Sequence, residues 1–213
     1  MVKRLVLVAG NIGAGKTSIT NKLGERLGWQ TGYESVSDNP YLPDFYTDMA
    51  SWAFHLQVFF LGHRAEQHIQ AFNDSSSAIL DRSIYEDFHI FTRALYRMGN
   101  MSERDYNAYQ KVYDLVINSL PAPDLLIYLE APVNVLMERI HERWREIESS
   151  ISDDYLGLLE SFYEDWLNGF DLCPLLIIKS NDLNFVDNPR HLDIVIERVN
   201  KALSGRDELV FGS

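Results

Sequence analysis

The run Gly10-Asn11-Ile12-Gly13-Ala14-Gly15-Lys16-Thr17 follows the pattern G-x-x-x-x-G-K-T. Glycines at these positions let backbone N–H groups turn inward around phosphate oxygens. The lysine reaches the terminal phosphates, and the threonine hydroxyl can ligate Mg²⁺. Such a loop implies that a nucleoside triphosphate binds. Two carboxylates stand after other short apolar runs: Glu34 in Tyr33-Glu34-Ser35, and Asp81 in Asp81-Arg82-Ser83. At the carboxyl end of a strand beside a phosphate loop, a carboxylate can accept a proton or hold Mg²⁺ directly or through water. Arg82 next to it can neutralise a moving phosphoryl group. From position alone, either acid is equally suited to be a helix N-cap or a surface charge. Arg139, Arg143 and Arg145 form a further cationic cluster. Arg139 and Arg143 are spaced to share a helix face. That spacing also suits a solvated face paired with Glu138, Glu142 and Glu146.

The elements that must position these residues are legible as alternating patterns. Strands are expected at Arg4–Ala9, Gln30–Tyr33, Ala78–Leu80, Asp124–Glu130 and Leu175–Lys179. Helices are expected at Lys16–Leu27, Ala50–Phe72, Ile84–Met98, Ser102–Ser119, Val133–Ile147, Asp153–Phe170 and Asn188–Leu203. Strand–helix alternation means crossover connections and parallel pairing. The expected fold is therefore α/β, a five-stranded parallel sheet flanked by helices on both faces. Ligands of such sheets bind at the carboxyl ends of the strands.

Composition limits the partners. The 213 residues suit one domain spanning the whole chain, with no repeats and no long linker. Net charge is −12, which argues against nucleic acid as a partner. No stretch is long and apolar enough to span a bilayer, so no membrane partner is expected. Lys3 and Arg4 before Leu5–Ala9 resemble the start of a leader peptide, but the run is short and leads straight into the glycine loop. The single cysteine, Cys173, allows no internal disulfide and points to a reducing, cytoplasmic compartment, with core packing as its own role.

Beyond these patterns, the chain resembles the deoxynucleoside kinase family, the group holding deoxycytidine, deoxyguanosine and deoxyadenosine kinases. The likeness runs from about residue 4 to about residue 203. It rests on Gly10–Ser18, Glu34, Asn39-Pro40-Tyr41-Leu42, Phe45-Tyr46, Trp52, Gln57, Arg64 and Asp81-Arg82-Ser83-Ile84-Tyr85-Glu86-Asp87. It continues through Leu126-Ile127-Tyr128-Leu129 and Arg139 to Glu148, and within the family is strongest toward bacterial deoxyadenosine kinases.

The resemblance implies a P-loop kinase fold with ATP and Mg²⁺ as cofactors, a deoxynucleoside as the small-molecule substrate, and a homodimer inhibited by a triphosphate end product. Phosphoryl transfer to a sugar 5′-hydroxyl would have Glu34 as general base, with Arg82 near the hydroxyl and the transferring phosphate. Asp81 would be a Mg²⁺-associated group or a second proton acceptor, alongside Thr17. The donor phosphates would lie on Gly10, Asn11, Ile12, Gly13, Ala14, Gly15, Lys16, Thr17 and Ser18. A lid at about residues 139–148, carrying Arg139, Arg143 and Arg145, would close over them. Tyr46 and Glu148 would hold the sugar 3′-hydroxyl. Gln57, Arg64 and Asp87 would read the base, with Phe45 as an aromatic wall. Phe54, Phe59, Phe60, Phe88 and Trp52 are further aromatic side chains that could serve as walls or as core. Two positions depart from the family: Ala9 stands where glutamate is frequent, and Trp144 where the lid usually has glycine.

The residues agree with an alcohol acceptor. A hydroxyl attacks better if its proton is taken up as it does so, and carboxylates such as Glu34 and Glu148 suit that region. A thymidylate-type monophosphate kinase would want arginines near the acceptor oxygens. A nucleotide-binding switch would need neither the acid-Arg pair nor a base-reading set. Gln57 donates and accepts at once, which fits the N6–H edge of adenine or the N4–H and N3 pair of cytosine. Deoxyadenosine is the leading substrate, with deoxycytidine and deoxyguanosine as alternatives. Glu34→Gln keeps the shape of the side chain without its charge. It is expected to lose most turnover while retaining substrate binding, as steady-state kinetics and a binding titration would show. Wild-type-like turnover would move the base role to Asp81.

Overall fold

The computed structural model describes residues 2–33, 39–143, 151–181, 184–185 and 188–204. Five strands form one parallel sheet: β1 (Leu5–Gly10), β2 (Gln30–Gly32), β3 (Ala78–Asp81), β4 (Leu125–Glu130) and β5 (Leu175–Lys179). Their order is β2-β3-β1-β4-β5, so the glycine loop leaves the central strand. Every pair is parallel; Val8 lies opposite Asp81 on one side and Ile127 on the other.

The near-continuous apolar strands are explained by the two cores they serve. Successive side chains of a strand point to opposite faces. Leu5, Leu7 and Ala9 enter one core with Leu80, Leu126 and Tyr128. Val6 and Val8 enter the other with Ile79, Ile127 and Leu129. The first core is closed by α3 (Met49–Asn73), α5 (Glu103–Ser119) and α7 (Asp153–Asn168), through residues such as Leu61, Tyr113, Leu159 and Phe162. The second is closed by α1 (Lys16–Leu27), α6 (Val133–Arg143) and α8 (Pro189–Ser204), through Ile19, Leu23, Leu136, Ile140 and Val195. Side-chain oxygens begin several helices: Asp48 accepts from Ser51 N, Ser102 from Asp105 N and Ser152 from Tyr155 N.

Two elements differ from the pattern expected of the sequence. A short helix, α2 (Leu42–Thr47), precedes α3 and packs Leu42 and Phe45 against Ala53, Leu56, Leu95 and Met101. Its six residues are too few to display a helical period. The helix expected over Ile84–Met98 is instead a π-helical segment, Asp87–Thr92, followed by α4 (Arg93–Arg97). A wider turn of this kind re-aims side chains locally and is frequent at functional sites. The helix expected over Val133–Ile147 is described to Arg143; its continuation lies outside the described residues. Among the described residues no helix is long and apolar enough to cross a membrane.

Candidate active site

The glycine loop joins β1 to α1, whose N-terminal N–H groups and dipole favour an anion. Gly15 caps that helix with φ 95°. Lys16 is buried, and its Nζ donates to Gly10 O at 2.8 Å and Asn11 O at 2.9 Å, folding the side chain along the loop. Thr17 Oγ1 donates to Asp81 Oδ2 at 2.5 Å. The last residue of β3 therefore meets the first turn of α1, and two oxygen ligands suited to a hard divalent cation lie side by side.

Arg82 follows immediately in a left-handed conformation, φ 86°, with its N–H bonded to Val8 O at 2.9 Å. A non-glycine residue held there costs about 1–3 kcal/mol, and such strain is concentrated at active sites. Its guanidinium lies 3.6 Å from Glu86 Oε1 and 4.4 Å from the Phe91 ring centroid. Glu86 is fully buried beneath the loop. One oxygen accepts from Ser83 N at 3.1 Å, and the other from Tyr163 Oη at 2.7 Å. Tyr163 Oη also lies 2.9 Å from Gly10 O.

A cavity of about 200 Å³ opens from the loop toward α2 and α3. Ile12, Gly13, Lys16 and Thr17 form its end at the glycine loop, and Asp81, Arg82 and Arg143 border it. Gln57, Arg64, Phe45, Tyr46, Phe60 and Phe91 line the remainder with Leu42, Leu56, Leu95, Ile151 and Tyr155. Gln57 and Arg64 both come from α3, seven residues apart on one face. Thr92 Oγ1 donates to Gln57 Oε1 at 3.2 Å and fixes the amide's orientation. Arg64 pairs with the fully buried Asp87 and lies 4.7 Å from the Phe60 centroid. Asp87 does not line the cavity; it stands behind Arg64 and holds it. Burial pushes the Tyr155 phenol up to about 12, so it stays a neutral hydrogen-bonding group at neutral pH.

A second cavity lies on the other side of the loop, lined by Gly13, Ala14, Gly15, Ser18, Arg139, Arg143, Asn181 and Phe185 among others. Arg139 is anchored there. Its Nη1 donates to Ser180 Oγ at 3.0 Å and its Nη2 to Ser180 O at 2.7 Å, with Ala14 O at 3.4 Å from Nη1. Gly13 and Arg143 border both cavities.

Of the residues singled out in the sequence, the first cavity gathers Ile12, Gly13, Lys16, Thr17, Phe45, Tyr46, Gln57, Arg64, Asp81, Arg82 and Arg143. Asn11 is buried under the loop and lines neither cavity. Glu34, Arg145 and Glu148, with Trp144, lie outside the described residues. Among the aromatic candidates, Phe45 and Phe60 are walls. Phe88 is core, against Tyr106 and Tyr113, and Trp52 and Phe54 pack around the α2–α3 cluster. Phe59 stacks on His63. The sequence pattern did not single out Phe91, Thr92, Tyr155, Glu160 or Tyr163, and assigned no role to Glu86 within the run Asp81–Asp87. Phe91 and Thr92 reach Arg82 and Gln57 from the unexpected π-helical segment, while Tyr155, Glu160 and Tyr163 share α7 with ordinary amphipathic spacing.

The model of the family described as deoxynucleoside kinase matches residues 6–204. The chain belongs to the deoxynucleoside kinase family. A deoxyadenosine/deoxycytidine kinase of Bacillus subtilis is 36% identical over 197 residues, covering 92% of this chain and 91% of that protein. A deoxyadenosine kinase of Dictyostelium discoideum is 36% identical over 182 residues, covering 85% of this chain and 74% of that one. The structure of deoxyadenosine kinase from M. mycoides with bound dATP superposes with a TM-score of 0.80 at 28% identity, over 93% of this chain and all of that one (100%). The same enzyme with dCMP and dCDP gives 0.81 at 29% identity, over 92% and 98% of the two chains. Membership of this family sets aside the thymidylate-type monophosphate kinase and the non-catalytic switch.

Asp87→Ala strands a buried arginine. It is expected to lower stability by about 3–5 kcal/mol in chemical denaturation and to change the preference order among the four deoxynucleosides, as Arg64→Ala also should. An unchanged order in both variants would move base recognition elsewhere.

Proposed function

We propose that the chain transfers the γ-phosphoryl group of ATP to the 5′-hydroxyl of a deoxynucleoside, with deoxyadenosine preferred. The carrying observation is the single cavity that runs from Lys16 and Thr17, past Asp81 and Arg82, to Gln57 and Arg64. It has an anion-binding end and a base-sized end with aromatic walls. The adenine edge suits the Gln57 amide, which the Thr92 hydroxyl orients. The deoxyadenosine activities named for the B. subtilis and D. discoideum relatives support the same base.

In this reading the sugar lies with its 5′-oxygen near Arg82, and its 3′-hydroxyl is held by Tyr46 and Glu148. The 5′-oxygen attacks the γ-phosphorus in line, the bond to the β,γ-bridging oxygen breaks, and ADP leaves. The hydroxyl proton passes to Glu34, with Asp81 as the second carboxylate within the site. Little covalent work falls to the protein; its contribution is positioning and charge neutralisation. Lys16 and the loop N–H groups, with Ser18, hold the donor phosphates, and Arg82 meets the charge on the transferring group. Arg139, Arg143 and Arg145 close the donor side. Thr17 and Asp81 would hold Mg²⁺, which neutralises charge on the donor phosphates when bound. Their adjacent oxygens fit that role.

We further propose a homodimer. It is supported by the exposed apolar side chains Ile69 and Phe72 on α3 and Val112 and Leu115 on α5. A steady-state screen of the four deoxynucleosides with ATP tests the reading. Deoxyadenosine should show the highest kcat/KM, with deoxycytidine and deoxyguanosine below it. A preference for deoxynucleoside monophosphates, or for thymidine, would contradict it.

A further inference from the structure

Helix α7 grips the first two residues of the phosphate loop from below. Tyr163 Oη reaches Gly10 O. Asn11 Nδ2 spends its two hydrogens on α7, one on Leu156 O at 3.0 Å and one on Glu160 Oε2 at 3.0 Å. Asn11 Oδ1 accepts from Ile12 N at 2.8 Å. The amide therefore has one orientation: a flip would set its oxygen against two acceptors and its NH₂ against a donor. Glu160 is fixed in turn from the sheet, because Tyr128 Oη donates to its Oε1 at 2.7 Å. The chain of contacts runs from β4 through Glu160 and Asn11 to the N–H of Ile12, the residue that opens toward the cavity.

We propose that Glu160 is a positioning residue for the donor site: it orients the Asn11 side chain, and thereby the backbone of the phosphate loop at Ile12 and Gly13, for the phosphates of ATP. The inference rests on ATP being the donor. An acid beneath an anion-binding loop would ordinarily oppose the phosphates. Here both carboxylate oxygens face donors, Tyr128 and Asn11, rather than the loop's N–H groups. Burial raises the Glu160 carboxyl above its ordinary value, with Glu130 and Glu164 adding to the rise, while the Tyr128 and Asn11 hydrogen bonds oppose it. What the loop needs from this side chain is its acceptor geometry rather than its charge. Tyr128, Asn11 and Glu160 touch no part of the base end of the cavity.

The test compares Glu160→Leu, Glu160→Gln and Tyr128→Phe in the full chain. KM for ATP, KM for deoxyadenosine and kcat are measured, and ATP is also titrated directly by calorimetry. Glu160→Leu removes both acceptors and should raise KM and Kd for ATP about tenfold. Its KM for deoxyadenosine should stay within about twofold. Glu160→Gln keeps an acceptor for Asn11 and turns its NH₂ toward the Tyr128 oxygen, so its ATP affinity should stay within about threefold of wild type. Tyr128→Phe loosens the carboxylate without removing it, should weaken ATP by a smaller factor than Glu160→Leu, and carries the test if Glu160→Leu does not fold. Unchanged ATP affinity in both Glu160→Leu and Tyr128→Phe would overturn the inference. So would an equal rise in both KM values, which marks a general structural role, or a loss in Glu160→Gln as large as in Glu160→Leu. If the wild-type chain binds ATP but phosphorylates no deoxynucleoside, the proposed function fails, while the calorimetric comparison still decides the role of Glu160.

Discussion

The site is organised by a backbone loop packed too closely at two positions, Gly10 and Gly13, to admit a side chain there. Gly10 has φ 148°, and a Cβ there would sit 2.8 Å from Leu129 O of β4. Gly13 has φ 86°, and a Cβ there would sit 2.8 Å from Leu136 O of α6. Any other residue would be strained at both positions and would push against backbone rather than against a yielding side chain. With the loop wedged between the sheet and α6, α1 begins at Lys16. Thr17 then falls against Asp81, and a cavity opens on each side of the loop. The two cavities are thus consequences of one packing constraint.

The first cavity, proposed above as the acceptor site, depends on buried charge that is held in place by other buried charge. Arg82 occupies a strained conformation and is met by Glu86, which also receives Ser83 N and Tyr163 Oη. Arg64 points into the cavity with Asp87 behind it. Buried ion pairs of this kind add little net stability, because desolvation of the two charges offsets most of their attraction. They do fix geometry: a guanidinium with its acid partner locked at its back presents one face to a ligand. Thr92 does the same for the neutral amide of Gln57.

Much of this was legible in the sequence, for identifiable reasons. The three central strands, buried on both faces, read as apolar runs. The edge strands β2 and β5 are partly exposed, yet all five were placed within about a residue of their ends. The glycine loop is a local motif. Asp81 and Arg82 follow directly from the end of β3. What escaped was set by contacts between distant parts of the chain. Asn11 and Glu160 meet across 149 residues, Gly10 and Tyr163 across 153. Nothing in the amphipathic spacing of α7 distinguishes a glutamate that faces a loop from one that faces water. The π-helical turn over Asp87–Thr92 also leaves no mark in a helical pattern, yet it carries Phe91 to the cavity and Thr92 to Gln57. The short α2 was not expected, since six positions carry no period; only its residues Phe45 and Tyr46 were singled out, through the family resemblance.

The claim that one cavity holds the acceptor is tested most directly by a crystal structure of the chain with deoxyadenosine and ADP. The adenine of deoxyadenosine should lie beside Gln57 and Arg64, between Phe45, Phe60 and Phe91, with the sugar 5′-oxygen toward Asp81 and Arg82. The ADP phosphates should rest on Gly10–Thr17. Deoxyadenosine bound away from Gln57, or ADP with its own base in that cavity, would contradict the account.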